Sequence, residues 1–186
     1  MKAILLFLAG YQLAMTAGAQ GLPPAKVSFD DYETLVAAVK PHREQRLISL
    51  DRFLKMSRER NSVILDTRSD EMYRRKHIKG AIHLNFSDFT QESLAALIPD
   101  PQTTILIYCN NNIDGDPRVF ATKATMPTVA SPGTKPITLA LNIPTYINLY
   151  GYGYRNVYEL SELVSIWDKR MEFEGTDFTQ AELRKR

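Results

Sequence analysis

The segment Thr103-Thr104-Ile105-Leu106-Ile107-Tyr108-Cys109 is apolar at successive rather than alternate positions, and it stops abruptly in Asn110, Asn111 and Asn112. A strand with no polar face has both faces covered, which is the situation of an interior strand in a parallel sheet. Val63-Ile64-Leu65, running into Asp66-Thr67-Arg68, repeats the pattern. Leu47-Ile48-Ser49, the stretch around Ile82, and Asn156-Val157-Tyr158-Glu159-Leu160 are further strand candidates.

Segments of helical character separate these runs. Ser28 opens the first, with Asp31 three residues on, and Tyr32, Leu35, Val36 and Val39 make an apolar stripe that Pro41 is expected to end. Ser49 or Asp51 caps a second helix carrying Phe53, Leu54 and Met56. Residues 70–76 and 87–97 are compatible with two more. Asn142 leads into a helix over 144–150 that Gly151 and Gly153 close, and 163–167 is expected to start a last one. Strands alternating with helices predict an α/β sandwich, a central parallel sheet with helices on both faces.

The first 19 residues read differently. Met1-Lys2 brings a positive charge, an apolar stretch follows, and Ala17-Gly18-Ala19 places small residues where a signal peptidase reads. The apolar stretch is short for a membrane span, so residues 1–19 are expected to be a signal peptide, with no stable span after cleavage and a periplasmic or secreted mature protein. The 23 basic and 21 acidic side chains nearly balance, and no basic stripe is visible, which argues against nucleic acid as a partner. His42, His77 and His83 show no ligand spacing, and neither a metal nor another cofactor is expected.

Cys109 is the single cysteine. A lone thiol in an exported chain is buried, paired with another chain, or kept for chemistry. Its place favours the last: ligands of open α/β sheets bind at the carboxyl ends of the strands. Backbone N–H groups of the loop would stabilise its anion.

These residues, taken in order, resemble a rhodanese-like (sulfurtransferase) domain. Asp66-Thr67-Arg68 is similar to the family's Asp-x-Arg, and Tyr73 with His77-Ile78-Lys79-Gly80-Ala81 to its aromatic followed by His-Ile-x-Gly-Ala. Ile107-Tyr108-Cys109 resembles the strand that carries the catalytic Cys. Leu149, Gly153, Tyr154, Asn156, Val157 and Leu160 resemble the pattern after the active-site helix, and Trp167 falls where the family often has Trp. The resemblance implies a rhodanese-like three-layer sandwich over residues 47–174, preceded by an extension with a helix at 20–46 and followed by a tail at 175–186. It also implies a thiolate that takes a sulfane sulfur from a small sulfur-containing donor and passes it to a thiol acceptor. Asn110, Asn111 and Asn112 are then expected to bind substrate, and Asp66, Arg68 and His77 to support the site.

The chain departs from the family in its active-site loop. The family's short loop often ends in Arg, and here that position falls on Leu141, after an insertion at 113–140. Arg118, Lys123 or Lys135 are the candidates to replace the Arg, with Arg118 the first choice. The insertion is expected to carry a helix over 118–124 capped by Asp116, ahead of Pro117, to pack as a defined element and to decide what reaches the thiol. The alternative for Asp114 and Asp116 is that they crowd the thiol and raise its pKa. Glu162-Leu163 replaces a Gly-Gly pair, so the turn after the last strand must be built differently. Tyr146, Tyr150, Tyr152 and Tyr154 are expected to pack.

Two other functions compete with sulfur transfer. One is a non-catalytic module that binds a protein partner or a small anion through the remodelled loop. The other is a Cys-dependent phosphatase or arsenate reductase, which needs an oxyanion-gripping Arg where this chain has Gly115.

Overall fold

The computed structural model describes residues 22–124 and 140–177. The proposed signal peptide, residues 125–139 of the insertion with Lys135, and most of the tail lie outside the described residues.

Five strands make one parallel sheet: β1 (Leu47–Ile48), β2 (Ser62–Asp66), β4 (Ile82–His83), β5 (Thr104–Tyr108) and β7 (Val157–Leu160), in the order β1-β7-β5-β2-β4. Two small ribbons flank it. β3 (His77–Ile78) runs antiparallel to β9 (Phe173–Glu174), and β6 (Ile113–Asp114) runs parallel to β8 (Val164–Ser165). The helices are α1 (Phe29–Glu44), α2 (Leu50–Met56), α3 (Asp70–Arg75), α4 (Gln91–Leu97) and α5 (Asn142–Gly151).

The side-chain period of two splits β5 between two cores. Ile105 and Ile107 pack with Val39 of α1, Leu94 of α4 and Leu149 of α5. Leu106 and Tyr108 face Phe53 of α2, Ile113, Val119 and Phe120. Helices therefore cover both faces, and α1 is one of the helices of its layer rather than an appendage. The register sets Asp66 directly beside Tyr108, one residue before Cys109.

Three local expectations are corrected. Pro41 does not end α1, which continues to Glu44. Contacts of the last turn offset the missing N–H: His42 Nδ1 meets the Tyr146 hydroxyl at 2.9 Å, and Arg43 grips Glu159 with two bonds of 2.6 and 2.7 Å. Residues 163–167 form no helix, because Val164–Ser165 is drawn into the ladder with Ile113–Asp114. Residues 118–124 form no helix either. Pro117, Arg118 and Val119 make one turn, with the N–H groups of Val119 and Phe120 both donating to the Asp116 carbonyl.

The turn after β7 shows how the Gly-Gly pair is replaced. The Glu162 carboxylate accepts from the Leu50 N–H at 2.7 Å, at the start of α2. The Asn112 side-chain amide donates to the Leu160 carbonyl at 2.7 Å. Among the described residues, no helix is long and apolar enough to cross a membrane.

Candidate active site

Cys109 follows β5 directly and opens a single 3-10 turn, Asn110–Asn112. Asn112 holds this turn in place. Its Oδ1 accepts from the Cys109 N–H at 2.9 Å and from Asn142 Nδ2 at 2.8 Å, while its Nδ2 reaches β7. One side chain thus joins the thiol loop, the neighbouring strand and the first residue of α5. Asn111 Oδ1 accepts from the Lys123 N–H at 2.7 Å and so ties the insertion to the loop. Asn110 is buried, with its Oδ1 lacking a hydrogen-bond partner.

The thiol is 2 % exposed. The Leu141 N–H donates to Sγ at 3.3 Å from the N-terminal end of α5. Burial pushes the Cys109 thiol up; the N–H groups of Leu141 and Asn110 oppose it, Asp66 adds to the rise, and Arg68 counters. Desolvation wins, as it does when an anion would lie in low dielectric. Burial thus disfavours the thiolate, while two N–H donors face the sulfur.

A buried charge network supports the strand end. Arg68 Nη2 lies 2.7 Å from Asp66 Oδ2, and the two side chains are 3 % and 0 % exposed. Arg68 Nε also bonds Asp66 Oδ1 at 3.0 Å. Its remaining donors reach the Lys76 carbonyl at 2.7 Å and the Val119 carbonyl at 3.2 Å. The guanidinium sits 4.4 Å from the Phe120 ring centroid, a cation–π placement. The Tyr108 hydroxyl donates to Asp66 Oδ2 and accepts from the Ile78 N–H. Burial works against the charge on Arg68, and the bonds and field of Asp66 outweigh it, raising its pKa. Buried ions persist only when paired in this way.

His77 is engaged by Tyr73 and Glu174. Its Nδ1 meets the Tyr73 carbonyl at 2.7 Å, its Nε2 meets Glu174 Oε1 at 3.2 Å, and its ring stacks on Tyr73 at 3.8 Å. Arg118 is not brought to the site: its side chain is 73 % exposed, with Nε 3.9 Å from Asp116 Oδ1. Among the described residues, Arg68 is a cation whose field favours the thiolate. Asp116 neither caps a helix nor crowds the sulfur. Its Oδ2 forms a 2.8 Å ion pair with Lys76 Nζ.

The sequence carried no signal for three of these groups. Leu141 acts through its backbone, and an N–H has no residue identity. Lys76 follows Arg74-Arg75 and reads as one more surface cation. Tyr108 read as strand filler. Beside the loop a cavity of about 250 Å³ is lined in part by Asn111, Asn112, Asn142 and the Arg43–Glu159 pair. Among the described residues no cluster of His, Cys, Asp or Glu is placed to hold a metal ion.

The rhodanese-like domain family matches residues 49–168. Thiosulfate sulfurtransferase PspE of Escherichia coli (strain K12) is 35% identical over 46 residues, which are 25% of this chain and 43% of that protein. The matched stretch therefore spans less than half the length of that relative. Among solved structures, a rhodanese with anions from E. coli is similar at a TM-score of 0.37 and 20% identity, over 62% of this chain and 99% of that one. A Bacillus halodurans protein is similar at a TM-score of 0.45 and 18% identity, over 81% and 97%. The family match runs from the cap of α2 through β8, across more than half of the chain and every strand of the parallel sheet but β1, and so the chain belongs to the rhodanese-like domain family.

Proposed function

We propose that this protein is an exported sulfurtransferase that carries a sulfane sulfur as a persulfide on Cys109. The observation that carries the reading is the Leu141 N–H, 3.3 Å from Sγ at the mouth of α5. A backbone donor at a helix start stabilises whatever anion forms there, whether thiolate or persulfide. The Asn110 N–H is a second donor. The presence of a thiosulfate sulfurtransferase among the relatives supports the same chemistry.

Each step balances. The Cys109 thiolate attacks the outer sulfur of thiosulfate, the S–S bond to Cys109 forms, and sulfite leaves with the electron pair of the broken bond. A thiolate acceptor, or cyanide in the assay, then attacks the outer sulfur of the persulfide and returns Cys109 as thiolate. Burial raises the pKa of the thiol, and the Leu141 and Asn110 N–H groups oppose that rise at the place where the anion has to form. Intact mass spectrometry after thiosulfate treatment is expected to find one added sulfur on the wild type and none on Cys109→Ser. Undiminished thiosulfate:cyanide activity in Cys109→Ser refutes the mechanism. Export rests on residues 1–19, and N-terminal sequencing of the mature protein is expected to begin at Gln20; an intact Met1 on periplasmic protein refutes it.

A second reading is favoured by the closed thiol and by Leu141 standing where the family's loop often carries Arg. It makes the chain a non-catalytic module that binds a partner or a small anion through the loop. Iodoacetamide separates the two: a working nucleophile is alkylated quickly at neutral pH, and a buried structural thiol is not.

A further inference from the structure

We infer that Lys76 is a positioning residue for Cys109: its buried ion pair with Asp116 clamps the arm formed by residues 113–124 against the domain and so holds the thiol loop closed. The functional meaning of this clamp rests on Cys109 being the reactive thiol.

Lys76 directly follows α3, yet its side chain is 1 % exposed. A lysine is buried only where its charge is answered, and Asp116, 8 % exposed, answers it from the insertion at 2.8 Å. The arm is then fixed along its length. Ile113–Asp114 pairs with Val164–Ser165. The Val119 carbonyl accepts from Arg68, and Val119 and Phe120 are buried in the core on the Tyr108 side. At its far end the Lys123 N–H holds Asn111 in the turn that follows the thiol. The arm thus meets the thiol loop twice, once through Asn111 and once through Arg68, Asp66 and Tyr108, whose backbone leads straight into Cys109.

The clamp has a direction of release. Without Lys76, Asp116 is left with Arg118, whose Nε lies 3.9 Å from its Oδ1 and whose side chain is 73 % exposed, so the carboxylate is drawn outward, toward the surface where Asp114 and Pro117 also lie. Gly115, at a φ of 99°, is the joint between the ribbon and the Asp116 turn. Moving the turn outward is expected to break the Lys123–Asn111 contact and so loosen the turn that follows Cys109.

The test is the alkylation rate of Cys109 by iodoacetamide, read by mass spectrometry in zero and in sub-denaturing urea. It needs no turnover, so it reports on the clamp even in a protein that transfers no sulfur. Lys76→Met and Asp116→Asn are each expected to raise the rate at least about tenfold, with little dependence on urea, as local opening requires. The double variant Lys76→Met/Asp116→Leu, an apolar pair in place of the ion pair, is expected to return the rate to within about threefold of wild type. A folded single variant within about twofold of wild type overturns the inference. So does acceleration that rises with urea in step with global unfolding, or a double variant as fast as the singles. If neither single variant folds, the pair is a folding determinant and the positioning role is overturned as well.

Discussion

Replacing Arg68 by Ala tests whether the charge network beneath Cys109 is structural. In the native protein this guanidinium makes side-chain bonds to both oxygens of Asp66 and donates to two buried carbonyls, Lys76 and Val119. It also stacks against Phe120. Ala leaves the Asp66 carboxylate fully buried, with the Tyr108 hydroxyl and the Arg68 backbone N–H as its remaining donors. Removing one partner of a buried pair costs about 3–5 kcal/mol, because the other charge is stranded. For a domain of this size each kcal/mol lowers the Tm by about 2–4 °C, so the expected drop is about 6–20 °C. The loss would be a large share of a typical stability of about 5–15 kcal/mol. The assay is thermal denaturation followed by circular dichroism, with urea unfolding as a second measure. A Tm within about 3 °C of wild type would falsify the structural account. If that variant had also lost sulfur transfer, Arg68 would be acting on the substrate directly.

Two further outcomes are expected. The raised pKa of Cys109 makes stability depend on pH: the unfolded thiol titrates near about 8.5, so the unfolded chain loses its proton first. The contribution is complete below that value and is lost as pH rises through the higher folded pKa. Urea unfolding across this range should therefore show the wild type losing stability relative to Cys109→Ser as pH rises, and parallel curves would contradict burial as the dominant cause. Glu162→Ala removes the acceptor for the Leu50 N–H at the start of α2. A cap loss of about 1 kcal/mol is expected as a lower urea midpoint at unchanged m-value, and an unmoved midpoint would assign the cap to Ser49 alone.

The parts of this protein legible in its sequence are those whose energetics are local. The unbroken apolar run of β5 required cover on both faces, and Ile105 and Ile107 do part from Leu106 and Tyr108 into two cores. Ser28 caps α1 through the Asp31 N–H, as the spacing predicted. Asp66 and Arg68, two residues apart at a strand end, could be recognised as a pair because the chain itself keeps them close.

Other features were decided by groups that meet only in three dimensions. Pro41 would end an isolated helix, and it does not because His42 and Arg43 find Tyr146 and Glu159 more than 100 residues away. Residues 164–165 are a strand because Ile113–Asp114 lies alongside them. Asp116 before Pro117 has the local form of a cap, but a buried lysine 40 residues earlier attracts its carboxylate more strongly than the backbone does. One donor to the sulfur is a main-chain N–H 32 residues beyond Cys109, which every residue but proline can supply. Periodicity and capping act within a window of a few residues, and so they write themselves into the sequence; ion pairs across the fold and backbone donors do not, because their partners are chosen by packing and their strength by burial.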